Sequence, residues 1–143
     1  MLVKVKGTAT KINRNDFRLD LNLPAVYFDS PNYTIALRSI FIRLLYNEDP
    51  LCQYFSLKTT MVDRCDVNPD QEIATFVSDY KGSGFRFVHY EPTQKQEYKI
   101  QRTSLADSEF ILTTENESLN YDREILGISK VEILLEFSKY ARI

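Results

Sequence analysis

The strongest constraint in this sequence is a strict alternation of apolar and polar side chains. From Asp16 to Leu23, Phe17, Leu19, Leu21 and Leu23 hold one parity, and Asp16, Arg18, Asp20 and Asn22 hold the other. Successive side chains of an extended chain point to opposite faces, so this pattern describes a strand with one dry and one wet face. The rule recurs at Leu2 to Ala9, where Val3, Val5 and Ala9 alternate with Lys4, Lys6 and Thr8. It recurs again in Lys130 to Ile143, where Val131, Ile133, Leu135 and Phe137 oppose Lys130, Glu132, Glu136 and Ser138. Asn13-Arg14-Asn15 reads as the turn of a hairpin between the first two runs, and Pro24 ends the second.

One segment admits two readings. In Asn32 to Leu45, the residues Tyr33, Leu37, Ile40, Phe41, Leu44 and Leu45 make a helical stripe, with Ser30-Pro31 as cap and first turn. The same segment reads as a strand in which Tyr33, Ile35 and Leu37 share one phase and Ile40, Ile42 and Leu44 the other. A bulge near Ser39 would supply the phase change. Its β-branched and aromatic content favours the strand.

Further runs are Gln53 to Val62 (Phe55, Leu57, Thr59 and Met61 on one face), Glu72 to Ser78, Phe85 to Tyr90, Glu97 to Thr103 and Glu109 to Thr114. Between them lie turn signals: Asn47 to Pro50, a turn or short helical loop at Asp63 to Gln71, and Lys81-Gly82-Ser83-Gly84. A helical turn is expected near Asp122 to Leu126. Composition agrees: 13% of residues are aromatic, nine Tyr and nine Phe, which suit a pleated, half-buried surface. About eight or nine strands with at most short helical turns make an all-β antiparallel sandwich or barrel. No linker or repeat divides the chain, so residues 1–143 read as a single domain.

The chemistry-bearing residues are sparse. His89 is the one histidine and lies in the apolar run FRFVHY, where a packed histidine is expected. With Cys52 and Cys65 it makes no zinc spacing, and two cysteines make no disulfide framework. Asp63, Asp66 and Asp70 lack the alternate-position ligands of a calcium loop. Gly82-Ser83-Gly84 lacks the lysine of a phosphate loop. No serine sits in a nucleophile elbow. The expectation is a non-enzymatic protein with no cofactor and no metal.

Charge is nearly balanced at −2 but unevenly spread. Residues 1–18 hold Lys4, Lys6, Lys11, Arg14 and Arg18 against Asp16, a local +4. Residues 47–79 hold seven acids against Lys58 and Arg64, a local −5. Solvated faces are the plain reading. The sharper one is self-complementarity, a basic edge of one copy meeting Asp63, Asp66 and Asp70 of the next, which sets orientation more than affinity. Nine tyrosines exceed what one core hides, so Tyr80 and Tyr90 join these charges as interface residues. The low net charge and the core-facing phase of the aromatics argue against nucleic acid. No apolar run is long enough for a membrane span. The start, MLVKVKGTATK, lacks the apolar stretch of a secretion signal, so an intracellular location is expected.

The stretch LDLNLPAVYFDSPNYTIALRSIFI resembles a recurring start of single jelly-roll proteins from the polinton and adintovirus group of invertebrate elements and viruses. The matching residues are Leu19 to Leu23, Pro24, and the Asn-Tyr-x-Ile-Ala-Leu-x-Ser-Ile run at Asn32 to Ile40. Ile125-Leu126-Gly127-Ile128 before the last apolar strand is similar as well. A Pro-Gly-Tyr turn expected in the middle of such proteins is missing here. The resemblance implies a jelly-roll building block of a virion or virus-like particle, self-associating or contacting other capsid-type subunits, penton-like or minor. It transfers no catalytic residues. The competing expectation is a monomeric binding module that holds a peptide, glycan or host protein on its loops, with aromatic residues near Tyr80 to Tyr90 as its site.

Overall fold

Among the described residues nine strands form: β1 (Leu2–Lys11), β2 (Asp16–Leu21), β3 (Tyr33–Leu44), β4 (Gln53–Thr59), β5 (Glu72–Ser78), β6 (Phe87–Tyr90), β7 (Tyr98–Lys99), β8 (Phe110–Asn116) and β9 (Ile128–Lys139). The computed structural model describes residues 1–29, 32–45, 53–78, 87–116, 125 and 127–139. Among the described residues no helix is long and apolar enough to cross a membrane.

All ladders are antiparallel, in the order β5-β4-β8-β2-β1-β9-β3-β6, with β7 also on β3. The chain pairs its first strand with its last, β2 with β8, β3 with β6 and β7, and β4 with β5. This nesting is one long hairpin rolled up, the connectivity of a jelly roll. It yields two four-stranded halves, β1-β9-β3-β6 and β2-β8-β4-β5, joined through β1 and β2.

The core lies between the halves. Ile35, Ile40, Ile42 and Phe137 from the first meet Phe17, Phe55, Leu57, Phe110 and Leu112 from the second, all essentially without solvent contact. Each such side chain contributes about 1.5–3 kcal/mol by leaving water. Val3, Val5, Val131, Ile133 and Leu135 are buried as their parity requires.

β3 is a strand, not a helix. Leu37 faces Leu135 and Ser39 faces Leu134 on β9, so Arg38 is the extra residue of a bulge. The bulge switches the phase, which lets Ile35 and Leu37 before it, and Ile40, Ile42 and Leu44 after it, all reach the core.

The two long sides of the sandwich are closed differently. On one side the closure is backbone. β1 pairs with β9 from Leu2 to Gly7 and with β2 from Gly7 to Lys11, so Gly7 belongs to both ladders. A Cβ at Gly7 would lie 2.0 Å from the Asp20 carbonyl oxygen, which reserves this corner for glycine. On the other side the closure is side chains. Phe55, Phe76 and Tyr90 stack in sequence across β4, β5 and β6, with centroids 5.2 and 4.8 Å apart and planes tilted by only 13° and 8°.

Two expectations need correction. The run Glu97 to Thr103 forms only the two-residue β7 plus a bridge from Ile100 to Val62. Its backbone is spent instead on the loops: Ile100 N–H donates to Tyr33, Gln101 N–H to Met61, and the Thr103 carbonyl accepts from Phe28. β4 stops at Thr59, where the chain turns: the Thr59 hydroxyl accepts from Met61 N–H at 3.2 Å and its carbonyl from Val62 N–H at 3.4 Å. Cys52, Lys81 to Gly84, and the helical turn expected near Asp122 to Leu126 (Ile125 excepted) lie outside the described residues. Cys65 is a free, exposed thiol.

Gly7→Ala is expected to lower the unfolding free energy by about 1–3 kcal/mol, the range for forced overpacking, in urea titration. Tyr90→Ala removes the last ring of the stack and should cost about 3–5 kcal/mol, whereas Tyr90→Phe keeps the ring and should cost under about 1 kcal/mol.

Candidate functional site

The five bases named from sequence do not form one edge. Lys4 and Lys6 stand on the outer face of the first half, and Lys6 Nζ lies 3.7 Å from a Glu132 carboxylate oxygen. Lys11 and Arg14 sit at the β1–β2 turn. There Lys11 Nζ donates to the Ile125 carbonyl at 2.6 Å and lies 5.7 Å above the Phe17 ring. Arg18 is on the outer face of the second half, where its Nε donates to Asp20 at 3.1 Å.

Asp63, Asp66 and Asp70 are exposed on the β4–β5 connection, at the end of the sandwich opposite the β1–β2 turn. That connection is firmly built. The Asn68 side chain bonds both the N–H and the carbonyl of Glu72, Gln71 Nε2 donates to the Val62 carbonyl, and Gln71 adopts a left-handed φ of 58°. Among the described residues no three His, Cys, Asp or Glu side chains converge as a metal site. Tyr80 lies outside the described residues, as do Glu48, Asp49 and Asp79 of the acidic segment. Tyr90 faces inward as part of the ring stack.

His89 stands differently from the packed histidine expected. Val88 and Tyr90 take the inward parity of β6, so Phe87 and His89 point out. The imidazole is half exposed, with Nε2 3.5 Å from Glu91 Oε1.

Two surfaces emerge that were not singled out from sequence. The first is the outer face of β1-β9-β3-β6. Phe41 and Phe87 stack there with centroids 5.5 Å apart and a 24° tilt, and Phe87 is 48% exposed. Beside them a shallow recess of about 300 Å³ is lined by Lys4, Ser39, His89, Glu132 and Leu134. Lys130 Nζ lies 3.2 Å from Glu132, and Lys95 Nζ bridges Glu136 at 2.6 Å and Glu97 at 2.9 Å. Arg38, projected by the bulge, lies 3.6 Å from Glu136. The Lys130 bond, then the fields of Lys130, Lys4 and Lys6, hold the Glu132 carboxyl below its usual range. Lys95, then Arg38 and the chain's amino terminus, do the same for Glu136. The signal in the sequence was present: after the Ser39 phase change, Phe41 and Arg43 carry the outward parity.

The second surface is the β5 edge, the terminal strand of its half. Thr75 and Val77 point out from it, and Val77 pairs directly with the partly exposed Tyr54 of β4. Alongside runs a groove of about 210 Å³ lined by Ala74, Thr75, Tyr90, Thr93, Gln94 and Gln96. A run of seven residues, EIATFVS, with one charge and no proline is a poor guard for a free edge.

No protein-family model matches the chain, and no curated protein matches it.

The depressed carboxyls fix the sign of the pH response. A group whose folded pKa lies below its unfolded value stabilises the fold above the unfolded pKa, and that contribution fades as pH falls through the folded one. For Glu132 and Glu136 the loss therefore begins as pH drops toward 4.5 and continues below it. The urea midpoint is expected to fall between about pH 7 and about pH 3, with a smaller fall in Glu136→Gln.

Proposed function

We propose that this chain is a non-catalytic, self-associating structural unit of a larger protein assembly, of the kind that builds a virion or virus-like particle. The observation that carries the reading is the unguarded β5 edge. Among the described residues no strand pairs with its outer side, and it presents the exposed Tyr54–Val77 pair and a groove of about 210 Å³. A strand from a neighbouring copy would complete its ladder and bury both side chains. Further support comes from the spread of exposed apolar side chains. Tyr27 and Val67 lie at one end of the sandwich, Ile12 and Leu45 at the other, and Val77 on the flank, as suits a block with neighbours on several sides. The acidic β4–β5 loop and the basic β1–β2 turn occupy opposite ends, which suits head-to-tail contact, and such contacts close into rings when the rotation allows. The resemblance of Leu19 to Ile40 to single jelly-roll capsid proteins points the same way.

The same groove favours one rival, a monomeric module that captures an extended peptide. Mass decides between them. Light scattering at micromolar concentration is expected to show a defined multiple of 16.7 kDa. Thr75→Lys with Val77→Lys, both at exposed positions, should return the protein to monomer without changing its unfolding midpoint. A wild-type monomer at every concentration and salt tested would overturn the assembly reading.

A further inference from the structure

The outer face of β1-β9-β3-β6 bears a charge opposite to that of the chain. Lys4, Lys6, Arg38, Arg43 and Lys130 stand on it and Lys95 reaches it, against Glu91, Glu97, Glu132 and Glu136, an excess of two positive charges on a protein whose net charge is −2. Glu132 and Glu136 are paired with Lys6, Lys130 and Arg38 of the same face, and the remaining positive charge is the net field of that face. In the midst of this field sits the Phe41–Phe87 stack, with Phe87 half open to solvent. The recess beside the rings, about 300 Å³, has room for a nucleobase. The Ser39 hydroxyl and the Glu132 carboxylate on its wall offer a donor and acceptors to a base edge.

We propose that this face binds single-stranded nucleic acid, with a base stacked on the Phe41–Phe87 pair and the phosphates taken by Lys4, Arg43 and Lys130. Stacking platforms set in a positive groove are the means by which sheet surfaces hold single strands without regard to sequence. Each alternative occupant leaves part of the surface unused or opposed. An acidic peptide would satisfy the charges but brings no planar ring as a rule. A duplex keeps its bases inside the helix and away from the rings. A second copy docked face to face would set like charges against each other. The inference is independent of self-association, which was assigned to the β5 edge.

The test is fluorescence anisotropy of a labelled oligothymidylate of about 20 nucleotides with the full chain at about 50 mM salt. Binding should weaken with salt at a log–log slope of about −2, the value for three neutralised phosphates on a single strand. Phe87→Ala should weaken binding roughly tenfold with the slope unchanged, and Phe87→Tyr should restore it. Arg43→Glu should weaken binding and make the slope shallower. Arg43→Glu is at an exposed position and should keep the wild-type unfolding midpoint; Phe87→Ala also loses the stack on Phe41, so binding is compared at a temperature where circular dichroism shows every variant folded. A duplex of equal length should bind at least about tenfold more weakly. Absence of binding at low salt would overturn the proposal. So would equal affinity for duplex or heparin with Phe87→Ala inert, which marks a mere polyanion surface. Loss of the oligomer in Phe87→Ala would also overturn it, assigning the face to contact between copies.

Discussion

Everything in this molecule hangs on one strand that serves two sheets. β1 gives its first half to β9 and its second half to β2, and the exchange happens at Gly7. Without that shared strand the two halves would be separate sheets, each with a free edge on this side. The tight approach of the Asp20 carbonyl is possible because Gly7 has no side chain. A single missing Cβ therefore lets a continuous hydrogen-bonded ladder bend through the corner of a jelly roll.

The opposite side shows what happens when backbone does not do this work. Between β5 and β6 no ladder forms, and three stacked rings hold the gap. Ring stacks are worth about 0.5–1.5 kcal/mol per pair beyond their burial. They pack over the core, and among the described residues no ladder joins the two strand edges. The two flanks of the molecule are thus closed by different means. Among the described residues one flank is joined by a backbone ladder and the other by rings alone.

The two outer faces differ for a related reason. A sheet covered on one side only may carry polar residues throughout its wet face. The β2-β8-β4-β5 face is of mixed polarity, with the Arg18–Asp20 pair on β2 and the Tyr54–Val77 pair on β4 and β5. The β1-β9-β3-β6 face instead mixes bases with an exposed aromatic pair, and its acids are neutralised locally. Lys95 reaches it from the β6–β7 connection and Arg38 from the bulge, so irregular backbone helps shape its charge.

Period-two patterning alone determined that Val3, Val5, Phe17, Leu19 and the Val131 to Phe137 series would share a core, because side-chain direction along a strand is a local property of the backbone. On the strand reading of Asn32 to Leu45 it also located the bulge near Ser39, but only the pairing with β9 decided strand over helix. Pairing was another matter. β1 and β9 meet across more than a hundred residues, and no local rule names such a partner. Short runs misled where tertiary demands took over: Glu97 to Thr103 had the look of a strand, yet the neighbouring loops claimed its hydrogen bonds. In FRFVHY the alternation of Phe87 and His89 with Val88 and Tyr90 was legible, but not which set would be dry. Only the docking of β6 beside β3 and against β5 decided that, by stacking Tyr90 on Phe76. Charge followed the same logic, for residues near in sequence were parted to different faces while Lys4, Arg43 and Lys130 came together. Electrostatics depends on distance in space, and in a rolled-up hairpin that distance is set by strand pairing.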